Sequence, residues 1–269
     1  MSTLTLAPAP AVAPAAAPLA GLQHSLLLAG RSVTKMLRHP EQFFDAILQP
    51  VLFLGIFVYV LGGAISGSSH AYLQYVLPGI MIQTVLFSTI SIGVNLNTDV
   101  KEGVFDRFRS LPIARSAPLV GAVLAEGLRY SLAIVMTLVA AVAMGYRTGT
   151  NPLSALAACL LVLGFAWCLC WIPIWLAMIS REAGTVQGFG MLAMFPLTFG
   201  SSMFARSSTM PGWLQHWVDV NPVTHLTEAV RGLLTGGPVA HDLMISAGTA
   251  GLVLAVFAPL AVRAYRRQV

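Results

Sequence analysis

Six long apolar runs constrain the fold of this chain more than any other feature of its sequence. They cover approximately residues 44–63, 74–97, 117–145, 152–179, 184–204 and 243–262. About 20 apolar residues at 1.5 Å each form a helix that crosses the roughly 30 Å hydrocarbon core of a bilayer. With 57% hydrophobic and only 9% charged residues, the chain has too little charge to cover a soluble globule of 269 residues. The sequence therefore predicts an all-α integral membrane protein with six transmembrane helices.

The count of six depends on one short charged turn. Only residues 180–183, with the sequence Ser-Arg-Glu-Ala, separate the fourth apolar run from the fifth. If these two runs formed a single element, the chain would cross the membrane five times.

The N-terminal segment precedes the first apolar run and has two parts. Residues 1–21 are rich in Ala and Pro and contain no Lys or Arg, so they lack the basic region of a signal peptide and are expected to form a disordered tail. Residues 22–39 place apolar side chains near one face and basic ones on the other, which predicts an amphipathic interfacial helix. A polar extension of the first spanning helix is the alternative. Residues 22–269 then form the transmembrane domain.

Basic residues predict the orientation, because loops that stay in the cytoplasm are enriched in Lys and Arg. With the N-terminus inside, eleven Lys and Arg residues lie on the cytoplasmic side and three lie outside, while Arg129 falls within the membrane. The prediction is a multi-pass protein of the plasma membrane with both termini in the cytoplasm. This bias also explains the net charge of +5 without a nucleic-acid partner.

The loop after the second run has the pattern of a short amphipathic helix. Apolar side chains recur at intervals of three and four, at Val104, Phe105, Phe108 and Leu111. Charged residues occupy the other faces, and Pro112 limits how far the helix continues. The apolar stripe needs burial against lipid or against a soluble partner, and the periodicity alone leaves both open. Just before this loop, Asn95, Asn97 and Asp99 are expected to be hydrated at the inner membrane surface.

The segment from about residue 205 to 241 is too apolar for a free loop, yet it carries charges that argue against a membrane crossing. Short interfacial or re-entrant helices on the outer side fit this composition best. Trp213 and Trp217 are expected to lie at the level of the lipid headgroups.

Two ionisable residues lie inside the third apolar run. Burying an ion in hydrocarbon costs roughly 3 kcal/mol or more unless the ion is paired or hydrated. Glu126 and Arg129 are three residues apart, so they can pair along one face of a helix. The pair either faces a substrate path or subunit interface, or it is a structural pair tied to neighbouring helices.

No sequence motif for catalysis is found. Neither Lys35 nor Lys101 completes the Gly-x-x-x-x-Gly-Lys-Ser/Thr loop that holds a nucleotide phosphate, so any ATP must be hydrolysed by another chain. There is no Gly-x-Ser-x-Gly motif and no His-Glu-x-x-His metal pair. The prediction is therefore a non-catalytic protein with no metal and no cofactor of its own. An ion-coupled secondary carrier and a membrane-embedded enzyme are the competing classes.

Three stretches resemble the permease subunits of type-2 ABC exporters, specifically the daunorubicin/doxorubicin resistance group. Two of them are residues 75–83 and residues 97–113. The third is the ordered set Met210-Pro-Gly-Trp-Leu, Asn221-Pro-Val-Thr-His and Arg231-Gly-Leu. The resemblance covers nearly the whole chain after the tail. It implies six spans, an N-terminal interfacial helix, a cytoplasmic coupling helix and outer re-entrant helices between spans five and six.

The resemblance also implies partners and roles. Two permease chains, as a homodimer or a heterodimer, would pair in the lipid membrane with two ABC ATPase subunits, which bind ATP and magnesium. The coupling helix would seat in the ATPase through Glu102, Phe105, Arg107, Phe108, Arg109 and Leu111. The outer re-entrant segment would include Trp213, Trp217, Asn221, Pro222, Glu228 and Arg231. The exported molecule would be an amphipathic drug, an antibiotic or a lipid-like molecule, moved by alternating or valve-like opening of a path at the permease interface.

Overall fold

The structure is a computed structural model that describes residues 40–103 and 117–268, with side chains described for residues 48–103 and 119–267. The predicted tail (residues 1–21) and the predicted interfacial helix (residues 22–39) lie outside the described residues. All regular elements of the described part are helical.

The helices follow the apolar runs closely. The chain begins with α1 (Pro40–Ile56), which passes through a π-helical segment (Phe57–Leu61) into the short α2 (Gly62–Ser66). The helices that come next are α3 (Ser69–Lys101), α4 (Ala117–Ala143), α5 (Pro152–Leu169), the shorter α6 (Trp171–Ile179) and α7 (Ala183–Phe199). A 3₁₀ turn (Ser207–Thr209) leads to α8 (Gly212–Val220), α9 (Pro222–Thr235) and the terminal α10 (Ala240–Gln268).

Five helical stretches of the described part are long and apolar enough to cross a membrane, which makes this a multi-pass membrane protein. They are Leu48–Ser66, Ser69–Lys101, Leu119–Ala143, Pro152–Ile179 and Ala240–Arg267. The predicted fifth run forms α7, whose 17 residues extend about 26 Å, a little less than the roughly 30 Å hydrocarbon core. The charged turn does separate α6 from α7, because α6 ends at Ile179 and α7 begins at Ala183.

Helix α3 is the centre of the bundle and defines its two ends. It runs from Ser69 to Lys101, and we name the two ends of the bundle after these residues. Of its most apolar stretch, 83% is buried inside the protein, against 17% for α10. Since α10 is as apolar as α3, its exposed side chains are suited to contact with lipid.

Helix α7 runs antiparallel to α3 along most of the bundle. Near its start Val186 packs in one hydrophobic cluster with Ile92 and Leu96, toward the Lys101 end. Further on, Met194 packs in a second cluster that also contains Tyr72, toward the Ser69 end. The chain therefore passes from one end of the bundle to the other between residues 183 and 202.

Three helices pack closely at Gly93 on α3. A methyl group at this position would lie 2.6 Å from the carbonyl oxygen of Pro173 on α6 and 2.9 Å from a methyl carbon of Val186 on α7. Both distances are shorter than a van der Waals contact, so α3, α6 and α7 approach each other here only because the residue has no side chain. Small residues at helix contacts are typical of membrane bundles, where packing rather than water exclusion joins the helices.

Candidate functional site

Glu126 and Arg129 lie on one face of α4 and form an ion pair. Nη2 of Arg129 is 2.8 Å from Oε2 of Glu126. The side chain of Arg129 is only 10% exposed and that of Glu126 only 12%. Each charge thus neutralises the other inside an apolar helix, which is the arrangement a buried charge needs.

Arg129 also connects α4 to α3. Its Nη2 atom donates a hydrogen bond to the carbonyl oxygen of Ser88. Its Nε atom is buried and has no hydrogen-bond partner among the described residues. A guanidinium carries five N–H donors in a fixed plane, so this side chain retains donor capacity after binding Glu126 and Ser88.

A cavity of about 260 Å³ adjoins Arg129, between α1, α3, α4 and α7. Its polar lining consists of Gln49, Ser88, Ser91, Asn95, Arg129 and Gln187. The remaining lining residues are apolar and include Phe87. Among the described residues that line the cavity there is no carboxylate, and the amide, hydroxyl and guanidinium groups present there can all donate hydrogen bonds.

The cavity lies in the half of the bundle nearer the Lys101 end. Gln187 is four residues from the start of α7, or about 6 Å along the helix. Arg129 is twelve residues from the start of α4, or about 18 Å along it. The polar lining thus extends from near the Lys101 end to about 18 Å along α4.

Asn97 does not behave as expected from the sequence. It is 2% exposed, and its side-chain amide donates to the carbonyl oxygens of Ala177 and Ser180 at 2.9 and 2.8 Å. The expectation that water satisfies Asn97 is therefore wrong. Its amide instead binds the last carbonyl groups of α6, which lack partners within that helix. Asn95 is exposed on α3 and lines the cavity.

At the Ser69 end, Glu228 and Arg231 of α9 form a second ion pair. The Ser202 hydroxyl donates to Oε1 of Glu228 at 2.6 Å. Arg231 donates to the carbonyl oxygens of Tyr75 and Ser202 at 3.3 and 3.2 Å, and its guanidinium carbon lies 3.9 Å from the centre of the Tyr75 ring. This network ties α9 to α3 through the chain segment that follows α7.

Asn221 joins α8 and α9 to the end of α7. Its side-chain amide donates to the carbonyl oxygens of Leu197 and Gly200, both at 2.8 Å. Its side-chain oxygen accepts a bond at 2.9 Å from the N–H of Val223, in the manner of an N-cap. Pro222 is the first residue of α9, a position where the absent N–H has no helical partner to lose.

The two tryptophans of α8 differ in their surroundings. Trp213 is 73% exposed and Trp217 is 46% exposed. The indole nitrogen of Trp217 lies so close to Gly200 that a methyl group there would approach it to 2.6 Å. Trp217 thus packs on the end of α7, while Trp213 extends away from the bundle.

Of the six residues predicted to seat the coupling helix in the ATPase, only Glu102 is described. Glu102 caps the end of α3, where its N–H donates to the carbonyl oxygen of Thr98 at 2.9 Å. Gly103 follows with a φ of +68°, a left-handed conformation that commonly ends a helix. The other five residues lie outside the described part, namely Phe105, Arg107, Phe108, Arg109 and Leu111.

Sequence reasoning missed several polar residues that the fold brings into these sites. His225 and Asp242 join α9 to α10 through an Nδ1 to Oδ1 contact of 2.7 Å. Gln49 and Gln187 line the cavity from helices far apart in sequence. The one available signal was an isolated glutamine in an otherwise apolar run. In the described residues, no three His, Cys, Asp or Glu side chains are grouped so that they could hold a metal ion.

Comparison with known proteins matches residues 23–235 of this chain to the family described as ABC-2 type transporter. The daunorubicin resistance ABC transporter permease protein DrrB1 of Streptomyces coeruleorubidus is 39% identical over 239 residues, which cover 88% of this chain and 84% of that protein. The probable doxorubicin resistance ABC transporter permease protein DrrC of Mycobacterium tuberculosis is 26% identical over 247 residues, covering 90% and 88% respectively. A putative transport permease, ycf38 of Cyanophora paradoxa, is 25% identical over 79% of this chain and 74% of its own length.

Proposed function

The chain belongs to the ABC-2 type transporter family, and from this premise we propose that it forms the membrane path by which an amphipathic drug, antibiotic or lipid-like molecule is exported. It is a permease subunit and a non-catalytic component, so hydrolysis of ATP falls to a separate ATPase subunit. The observation that carries the proposed path is the polar cavity beside Arg129. A polar cavity between apolar helices gives an amphipathic molecule a place for its polar part within the membrane.

The proposed topology has six crossings, both termini in the cytoplasm and the plasma membrane as location. It is supported by the course of α7, which leads from the Lys101 end to the Ser69 end although it is short. The excess of basic residues in segments next to the Lys101 end supports a cytoplasmic location for that end. Helices α8 and α9 both lie at the opposite end, as outer re-entrant helices would, and residues 22–269 then form one transporter domain, of which residues 23–235 match the family.

Single cysteines test this orientation. In a background without the three native cysteines, Ser207→Cys and Ala240→Cys flank α8 and α9, so an impermeant thiol reagent applied outside intact cells should label both. A cysteine at Lys101 should react only after the cells are permeabilised. Labelling of one outer position without the other contradicts the topology.

The proposed assembly contains two permease chains and two ATPase chains. Helix α3 ends at Lys101, at the end of the bundle assigned to the cytoplasm, so the amphipathic sequence that follows is proposed to meet a cytoplasmic partner. Its apolar stripe would fill a groove of the ATPase, with Phe105 and Phe108 as the buried side chains.

Reconstitution tests the division of labour. The purified chain in lipid vesicles should hydrolyse no ATP, and it should move daunorubicin across the bilayer only when the partner ATPase and ATP are present. The double variant Phe105→Ala, Phe108→Ala should insert normally but lose the ATPase and transport, since each buried aromatic at an interface contributes about 2 kcal/mol or more. Phe43→Ala serves as the matched aromatic control and should retain both.

Two results contradict the proposal. ATP hydrolysis by the chain alone would remove the need for a partner. Transport that follows an ion gradient and ignores ATP depletion would indicate a secondary carrier instead.

A further inference from the structure

The donors around the cavity indicate which chemical groups it can bind. Arg129 is the one charged residue among the described residues that line it. A guanidinium beside open space favours an oxygen acceptor as a further partner, because all of its polar atoms are donors. Glu126 lies beside Arg129, but it is engaged with that side chain and is not part of the lining. The cavity is therefore built for carbonyl, hydroxyl or other oxygen acceptors and not for a cation.

The volume of the cavity limits how much of a ligand it can enclose. At about 260 Å³ it is smaller than the roughly 300 to 1,000 Å³ of a site that encloses a drug-sized ligand. It holds one polar edge of such a molecule, and the rest must lie against neighbouring surface.

That neighbouring surface is aromatic. Phe87 lines the cavity, and its ring meets that of Phe195 edge-on with centroids 5.7 Å apart. The series continues from Phe195 to Phe199 at 5.2 Å, from Phe199 to Phe204 at 5.1 Å, and from Phe204 to Phe57 at 4.5 Å. We call these five residues the phenylalanine ladder.

The ladder leads from the cavity toward the Ser69 end. Its far part includes Phe204, whose carbonyl oxygen accepts a bond from the hydroxyl of Tyr72, in the first turn of α3. Phe195 and Phe199 are 51% and 43% exposed, so their rings are accessible beside α7. Offset and edge-to-face ring contacts of this kind favour a flat aromatic partner.

Resting on the proposed transport function, we propose that the cavity beside Arg129 binds the oxygen-bearing edge of a planar aromatic substrate, and that the phenylalanine ladder carries its rings from there toward the outer face. The polar contact determines binding. The ladder determines movement after binding, because its rungs beyond Phe87 lie outside the cavity.

The test uses the full chain with its ATPase in phosphatidylcholine nanodiscs and vesicles, with daunorubicin as a fluorescent probe and its N-acetyl derivative as the uncharged counterpart. Both probes should bind wild type with dissociation constants within about threefold of each other, because no carboxylate recognises the amine. The double variant Glu126→Met, Arg129→Met removes the guanidinium without leaving an unpaired charge. It should weaken both probes at least tenfold, which corresponds to about 1.4 kcal/mol.

The ladder is tested by Phe195→Leu with Phe199→Leu. This variant should bind daunorubicin as wild type does but transport it at least tenfold more slowly. Phe189→Leu is the matched control and should change neither, because Phe189 is a 57% exposed phenylalanine on the same helix and its ring is outside the ladder.

Four results overturn the inference: no saturable binding by wild type, loss of binding on N-acetylation, unchanged binding by the double methionine variant, or equal transport defects in Phe189→Leu and the ladder variant. Loss of binding when phosphatidylglycerol is added assigns the cavity to lipid phosphate and also overturns the inference.

The proposed function is judged separately, by whether wild-type transport requires ATP. If it does while the variants behave as wild type, the permease assignment stands and the substrate site lies elsewhere.

Discussion

The ion pair between Glu126 and Arg129 should stabilise the fold only as a pair. Removing one member leaves a charge in a site about one-tenth exposed, which is expected to cost about 3 to 5 kcal/mol. Replacing both with residues of similar length removes the two charges together and should cost about 1 kcal/mol or less, since apolar packing often replaces a buried pair without loss. The variants are Glu126→Met, Arg129→Met and the double variant, because methionine is unbranched and apolar.

The measurement is the free energy of unfolding in mixed micelles, obtained for wild type, both single variants and the double variant. The coupling free energy is the double-variant loss minus the sum of the two single losses, and we expect a magnitude of about 3 kcal/mol or more. Leu128→Met is the control, because Leu128 lies between the two residues and is 49% exposed. It should change stability by no more than about 0.5 kcal/mol.

Additive losses would refute this reasoning. If the coupling is smaller than about 0.5 kcal/mol, the two side chains do not depend on each other, and each charge is stabilised by other groups. The same outcome would remove the basis for using the double methionine variant to probe the cavity.

Two further predictions concern the fold. Asn221→Ala should lower the free energy of unfolding by about 2 kcal/mol or more, because two carbonyl groups and one N–H lose a buried partner. Asn151→Ala is the control and should lower it by about 1 kcal/mol, because Asn151 is an exposed N-cap on α5. Thermal unfolding in the same detergent distinguishes them, and equal losses contradict the role of burial. Gly93→Ala should destabilise by about 1 to 3 kcal/mol through overpacking, while Gly188→Ala on α7, where the added methyl meets nothing within 4 Å, should not. A wild-type melting temperature for Gly93→Ala would contradict the close approach.

Helices were predictable from this sequence because length and apolar composition fix them in a membrane protein. A backbone in hydrocarbon must satisfy its own hydrogen bonds, so a run of about 20 apolar residues has few alternatives to a helix. The alternation of helix direction then follows from short connections. Each of the six predicted apolar runs begins or ends within four residues of a helix boundary.

The end of α7 was not predictable, for a specific reason. The apolar run continues to about residue 204, but the helix ends at Phe199. The chain leaves the helix because distant side chains bond its carbonyl groups, with the hydroxyls of Tyr75 and Tyr72 donating to Ser202 and Phe204. Those donors lie about 130 positions earlier, and composition in a local window carries no trace of them.

The candidate site was likewise predictable from the sequence only in part. That Glu126 and Arg129 could pair was visible from their spacing on one helix, which is a local property. The cavity was not visible, because its polar lining comes from α1, α3, α4 and α7, and each contributes only one or a few polar side chains to an apolar run. Only the packing of these helices distinguishes Gln49 and Gln187 from polar residues that merely face a membrane surface.

The two paired arginines of the bundle differ in their surroundings, and this difference supports the assignment of the cavity. Each has a buried Nε atom without a hydrogen-bond partner among the described residues, so this feature does not distinguish them. Arg231 donates from both Nη atoms, contacts Glu228 and two carbonyl oxygens, and is covered by the Tyr75 ring, so it serves to join helices. Within the described part of the chain, Arg129 contacts Glu126 and Ser88 through Nη2 and adjoins open space. A guanidinium beside a cavity is what a site needs when its remaining partner arrives with the transported molecule.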